Sequence, residues 1–252
     1  MNVLITRPDE RGQQLLELLA ENHIFAMHQP LFRFEAGREL PLLPSTLSGL
    51  KSGDYVFAVS KNAVDFADQT LKETGFSWRS DLHYVAVGQR SACYFASQIE
   101  QAVRYPLQAE TSEGLLALPE MQQMAGKNVL ILRAESGRGL FAEQMTARGA
   151  KVTVLECYQR VPLSDNISEK ISLAKRAGID TIVLTSSEML SLLLQNTFEN
   201  EQAWLFSCRL VVVSPRIAQE AQRLGWAADK IAISAKADNQ TLLQTLLKHQ
   251  KS

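Results

Sequence analysis

Val3-Leu4-Ile5-Thr6-Arg7 returns further along the chain as Val129-Leu130-Ile131-Leu132-Arg133. Each run is short and apolar, and each gives way to a helical pattern. The first is followed by residues 12–21, where Leu15, Leu16, Leu18 and Leu19 face a core, and the second by residues 139–148. Apolar runs of this kind, continuous rather than alternating, are strands buried on both faces. Further runs occupy residues 55–60, 84–88, 151–157, 181–186, 210–214 and 230–234. Amphipathic stretches at residues 62–73, 188–195, 216–224 and 241–248 lie among them. Gly75, Gly149 and Gly225 stand where helix C-caps belong. Repeated strand–helix–strand units predict an α/β fold with parallel sheets and right-handed crossovers.

The two quoted runs belong to a longer repeat without a gap. At the offset of Val3 from Val129, Ser60 meets Ser186, Val85 and Val87 meet Val211 and Val213, and Gly88 meets Ser214. Ala92 meets Ala218, Leu116 meets Leu242 and Phe32 meets Tyr158. Any two α/β halves share apolar strand residues, but a constant register across Arg, Ser and strand ends reads as duplication. A duplicated unit predicts two similar domains with a cleft between them. Ligands of such folds bind beyond the carboxyl ends of the strands.

The polar residues just after the strands are therefore the candidate site. They include Arg7, Ser60, Lys61, Asn62, Ser91, Arg133, Arg138, Ser186, Ser187, Ser214 and Arg216. Each marks a turn into a helix N-terminus, where free N–H groups and the positive end of the helix dipole collect. Ser60, Ser91, Ser112, Ser186 and Ser214 are good N-cap types, and each serine alone reads first as a plain cap. Several such termini together would suit an anionic ligand.

Composition narrows the classes. The chain has 252 residues, 46% hydrophobic and 21% charged, with a net charge of −1. That balance argues against nucleic acid and membrane surfaces as partners, because both are held by clustered basic charge. Cys93, Cys157 and Cys208 form no CxxC, and the four histidines have no ligand spacing, so neither a disulfide framework nor a metal site is expected. No signal peptide is read at the start, where Arg7, Asp9, Glu10 and Arg11 interrupt the apolar run, and no stretch is long enough to span a bilayer. Neither GxGxxG nor GxxxxGK[ST] follows a strand, and no GxSxG elbow exists.

The order of several pieces carries a family resemblance. They are Val3-Leu4-Ile5-Thr6-Arg7-Pro8, Ser60-Lys61-Asn62-Ala63-Val64, Ala86-Val87-Gly88 and Ser112-Glu113-Gly114-Leu115-Leu116. Then come Leu130-Ile131-Leu132-Arg133, Gly137-Arg138, Arg148-Gly149-Ala150 and Cys157-Tyr158-Gln159-Arg160. Leu184-Thr185-Ser186 and Val212-Val213-Ser214-Pro215-Arg216 close the series. Together they resemble the bacterial uroporphyrinogen-III synthases over nearly the whole chain.

That resemblance implies two similar flavodoxin-like parallel-sheet α/β domains joined by a two-stranded linker. It also implies discontinuity: one domain of residues 1–33 plus 160–252, the other of 34–159, with crossing segments at 30–34 and 156–160. The implied reaction closes hydroxymethylbilane to uroporphyrinogen III, losing water and inverting ring D, with no metal or organic cofactor. The implied general acid is Tyr158, whose phenol stays protonated near neutral pH. Its other reading is an interdomain packing ring, as Phe32 would be in the other half. Arg7, Arg133, Arg138, Arg216 and Lys61 become candidate partners of the eight substrate carboxylates, or else surface ion pairs. The chain departs from the common pattern at Val59 and at Arg216-Ile217, so backbone donors are expected to carry much of the binding. A cytoplasmic monomer is implied, with transient contact to hydroxymethylbilane synthase as a further expectation. The main alternative is a two-domain α/β binding module for an anionic small molecule. A two-domain glycosyltransferase is a third reading, weakened by the missing acidic ribose signature.

Overall fold

A computed structural model describes residues 1–8, 10–135, 139–163 and 166–250. The strands there are β1 (Val3–Ile5), β2 (Ala26–His28), β3 (Phe32–Ala36), β4 (Tyr55–Ala58), β5 (His83–Ala86) and β6 (Val103–Arg104). They continue as β7 (Asn128–Ala134), β8 (Lys151–Pro162), β9 (Thr181–Leu184), β10 (Arg209–Val212) and β11 (Ile231–Ile233). They form two sheets, ordered β11-β10-β9-β1-β2 and β3-β8-β7-β4-β5-β6. The chain divides into two compact units, Met1–Arg33 with Val161–Ser252 and Phe34–Arg160. The division falls inside β3 and inside β8, which are neighbours in the second sheet. The fold is α/β with parallel-sheet domains.

The repeat in the sequence is written into this topology. β9, β10, β11, β1 and β2 occupy the same successive places in the first sheet as β4, β5, β6, β7 and β8 in the second. Thus the first strands of the opening half pair with strands of the closing half: β1 pairs in parallel with β9, Val3 beside Thr181 and Ile5 beside Val183. The long β8 covers the positions equivalent to both β2 and β3.

The central strands β1, β4, β5, β7, β9 and β10 are buried on both faces over most of their length, as continuous apolar runs require. In the first unit, Val3, Ile5, Val183 and Val211 join Leu15, Leu19, Leu242 and Leu246 from the helices Glu10–Glu21 and Asn239–Gln250. In the second unit, Val56, Ala58, Leu130 and Leu132 pack on the helices Lys61–Glu73 and Gln89–Ile99. Their neighbours Phe57, Val129 and Ile131 face the opposite way, toward Phe141 and Met145 of Leu140–Ala147. Gln89–Ile99 and Ile167–Arg176 are the longest of the helices that have no counterpart among the amphipathic stretches read from the sequence.

Two expected caps shift. Ser91 is not an N-cap: its helix begins at Gln89, with Gly88 as the cap, so Ser91 lies inside the first turn. Ser112 is likewise the first helical residue, and Thr111 caps instead, accepting from the Gly114 amide at 3.1 Å. The repeat carried the signal in the first case, because Gly88 stands opposite the true cap Ser214.

One buried carboxylate fastens the amino ends of β4 and β7. Asp54 is 2% exposed. It accepts from the Lys51 amide at 2.6 Å, the Asn128 amide at 2.9 Å and Asn128 Nδ2 at 2.6 Å. Burial alone would raise its pKa, but the amide donors outweigh it and hold the carboxyl below its ordinary value. A depressed carboxylate stabilises the fold above its unfolded pKa, and that contribution is lost as pH falls through the folded value. Asp54→Ala should therefore cost about 2 kcal/mol in urea unfolding at neutral pH, by leaving three part-buried donors without their acceptor. The difference from the parent should shrink as the pH is lowered through the carboxylate range.

Candidate active site

Each sheet has a place where the helices after its strands change sides. In the second unit the helix after β4 lies on one face, and the helix after β7 lies on the other. β4 and β7 are neighbours, with Ala58 beside Leu132. Such a switch point opens a crevice at the carboxyl ends, where ligands of doubly wound sheets bind. In the first unit β1 and β9 meet in the corresponding way.

Tyr158 reaches the switch point of the second unit through an irregularity in β8. Arg133 pairs with Glu156, but Ala134 pairs with Tyr158, so Cys157 is an extra residue opposite that step. A bulge of this kind breaks the alternation of side chains and re-aims the next residue. Cys157 and Tyr158 consequently enter the same core cluster, where strict alternation would have sent them to opposite faces. The Tyr158 ring meets Phe34 edge-on at 5.5 Å and stacks on Phe66 at 6.0 Å. The residue is only 4% exposed. Its hydroxyl lies 3.0 Å from Ser60 Oγ. Ser60 caps the helix Lys61–Glu73 and accepts from the Ala63 amide at 3.2 Å. One hydroxyl thus links the helix start after β4 to the phenol on β8.

Around this pair the second unit gathers other charged groups. Lys61, exposed on the first turn, lies 3.8 Å from Asp65 and 4.7 Å above the Tyr94 ring. The Tyr94 hydroxyl donates to Asp65. Burial first, and the Asp65 carboxylate second, push the Tyr94 pKa up to about 12. Asn62 is half-buried beside Lys61, and Ser91 is half-buried in the helix after β5. Arg133 sits on the opposite face of the sheet from Tyr158, with Nη2 3.7 Å from Glu156. Its Nε is buried and has no hydrogen-bond partner among the described residues. Arg138 and its neighbour Gly137 lie outside the described residues.

The first unit presents Ser186 and Ser214 as N-caps after β9 and β10, accepting from Met189 at 3.2 Å and Ile217 at 3.4 Å. Ser187 Oγ is buried without a partner among the described residues. Arg216 is exposed in the first turn after Ser214. Arg7 differs from the sequence expectation of an open cation. It is 2% exposed, and Nη1 donates to the Ala237 carbonyl at 2.9 Å and Asn239 Oδ1 at 2.7 Å. The carboxyl end of β1 is thereby tied to the start of the last helix. Among the described residues, no group of three or more His, Cys, Asp or Glu is placed to hold a metal ion.

The family described as "Uroporphyrinogen-III synthase HemD" matches residues 13–244. A uroporphyrinogen-III synthase of Salmonella typhimurium is 43% identical over 247 residues, covering 98% of this chain and all of that one. One of Escherichia coli is 40% identical over 250 residues, with coverage of 98% and 100%. The chain belongs to the uroporphyrinogen-III synthase family. Solved members show the same fold at low identity. A mutant enzyme of Thermus thermophilus superposes with a TM-score of 0.67 at 15% identity over the whole of both chains. A Helicobacter pylori uroporphyrinogen-III synthetase gives 0.58 at 15% identity, covering 98% of this chain and 99% of that one.

Some of the residues that shape this site were not singled out by reading the sequence. Asp65 reads as an ordinary residue of the stretch 62–73, and Tyr94 falls in no stretch read as helical. Gly37 carries no local signature either, yet a Cβ there would lie 1.9 Å from the Glu156 carbonyl oxygen, and its amide donates to the Cys157 carbonyl at 2.9 Å. The obstacle is backbone, so β8 itself must move. Gly37→Ala should lower the rate of any reaction that uses Tyr158 by about tenfold or more, and destabilise the second unit by about 2–3 kcal/mol. A thermal melt run beside the activity assay checks both, and wild-type behaviour in both would contradict the packing described.

Proposed function

We propose that this chain closes hydroxymethylbilane to uroporphyrinogen III, and that Tyr158 protonates the departing hydroxyl. Membership of the family makes it an enzyme of tetrapyrrole biosynthesis. The observation that carries the assignment of Tyr158 is its hydroxyl, held 3.0 Å from the Ser60 cap at the carboxyl end of β4.

The chemistry asks for modest acid assistance and strict positioning. The phenol proton passes to the ring-A hydroxymethyl oxygen, the C–O bond breaks, and water leaves. The C–O electron pair leaves with the water, and the ring-A nitrogen lone pair delocalises onto the methylene carbon left behind to give an azafulvenium. Ring D attacks it through its substituted carbon to give a spiro intermediate, which fragments and recloses with ring D inverted. The proton released on rearomatisation restores the phenol. Ser60 Oγ already accepts from the Ala63 amide, so its own O–H remains able to donate to the Tyr158 oxygen as negative charge develops there. A general acid contributes about 10²–10⁴ in rate. The selection of the III isomer then falls to orientation of ring D.

Eight carboxylates must be held meanwhile. The capped helix starts at Ser60, Ser186 and Ser214 offer amide donors, each charge-assisted bond contributing about 1.5–3 kcal/mol. Lys61, Arg133 and Arg216 supply cations, and Asn62, Ser91, Ser187 and Arg138 complete the proposed binding set. Two buried polar atoms without partners among the described residues, Arg133 Nε and Ser187 Oγ, favour contact with an external acceptor at these strand ends. Arg7 acts instead by fixing the end of β1. With a net charge of −1, recognition is local rather than by long-range steering. The working form in this reading is a cytoplasmic monomer that receives its unstable substrate through transient contact with hydroxymethylbilane synthase.

Freshly prepared hydroxymethylbilane should be converted to the III isomer. Formation of the I isomer alone would overturn the reading. Tyr158→Phe should slow turnover by about 10²–10⁴ while the III isomer remains the product, and a rate within about twofold of the parent would remove Tyr158 as the acid.

A further inference from the structure

We infer that Tyr94 and Asp65 are positioning residues for Lys61, holding its ammonium at the carboxyl end of β4 to meet a substrate carboxylate. The inference rests on the reaction proposed above and assigns two residues to it that do not themselves touch substrate.

The local energetics of the helix do not explain Lys61. It is the first residue of Lys61–Glu73, where the helix dipole disfavours a cation. Its pairing with Asp65 runs in the less favourable order for two residues four apart, with the basic residue N-terminal. The arrangement is nonetheless closed on three sides. Asp65 lies 3.8 Å from the ammonium, the face of Tyr94 lies 4.7 Å from it, and the Tyr94 hydroxyl donates to Asp65. Tyr94 comes from the neighbouring helix, Gln89–Ile99, so the cluster also bridges the helices after β4 and β5.

The parts have separable roles. The Tyr94 ring attracts the cation without neutralising it. The Tyr94 hydroxyl occupies part of the Asp65 carboxylate, which keeps that carboxylate from drawing Lys61 into a full contact ion pair. The ammonium, with 52% of its side chain exposed, therefore retains donors for an incoming anion. It stands one residue from Ser60, whose Oγ contacts Tyr158. A local departure from helix rules beside a reacting group is the pattern expected of a functional site.

Steady-state kinetics with hydroxymethylbilane test this. Lys61→Ala should raise KM about tenfold with kcat within about twofold. Tyr94→Leu, which removes ring and hydroxyl, should raise KM about fivefold with kcat unchanged. Tyr94→Phe, which keeps the ring, should recover about half or more of that loss. The double variant Lys61→Ala/Tyr94→Leu should match Lys61→Ala alone. If Lys61→Ala raises KM but neither Tyr94 variant does, the positioning role is overturned and the binding role of Lys61 stands. If the double variant is additive, or if kcat falls with Tyr94→Leu, Tyr94 acts on the fold and not through Lys61. An unchanged KM in Lys61→Ala overturns both assignments while leaving Tyr158 untouched.

Discussion

The extra residue in β8 is the constraint on which the site geometry depends. A parallel strand alternates its side chains, and Leu155 already faces the core. Regular pairing would place Cys157 inward and Tyr158 outward. The bulge between Arg133 and Ala134 lets both point inward, and so gives the phenol a rigid seat between Phe34 and Phe66. Gly37 secures the irregularity from the other side, because nothing larger fits against the Glu156 carbonyl. Glu39 adds a second tie, accepting from the Glu156 amide at 2.8 Å. A flexible side chain at a loop tip would reach the same spot, but at a cost in orientation for a reaction whose outcome is set by orientation.

The duplicated chain explains why similar polar ends recur in both units. Strands related by the constant offset occupy the same places in their sheets, so Ser60 and Ser186 do the same capping work after β4 and β9. The copies have diverged where the chemistry differs. The second unit has a tyrosine at the place where the first has Phe32, and a glycine at Gly88 where the first has Ser214. Gly88 also leaves room for Glu110, whose carboxylate would lie 2.3 Å from any Cβ there. Arg7 and Arg133 illustrate the same divergence: one is consumed in holding the last helix, while the other keeps a buried Nε without a partner among the described residues.

Electrostatically the protein is close to neutral, although the reaction proposed for it concerns a polyanion. Helix starts reconcile the two, because amide groups and aligned peptide dipoles favour anions without adding net charge. The few cations at these strand ends can then be placed individually. Lys61 is held by an aromatic face and a shared carboxylate, and Arg133 by the edge of Glu156.

The sequence by itself determined the α/β class, the run of buried parallel strands, the caps at Ser60, Ser186 and Ser214 and the family. These rest on local periodicity, cap chemistry and ordered motifs, which depend on neighbours along the chain. Tertiary structure alone decided the rest. Arg7 looked like an open cation until the last helix, more than two hundred positions away, supplied its acceptors. The bulge, the Gly37 contact and the Tyr94–Asp65–Lys61 cluster are each made by segments distant in sequence. A single chain read in order carries no signal for such pairings, because only the packed sheet brings their backbones and side chains within hydrogen-bonding distance.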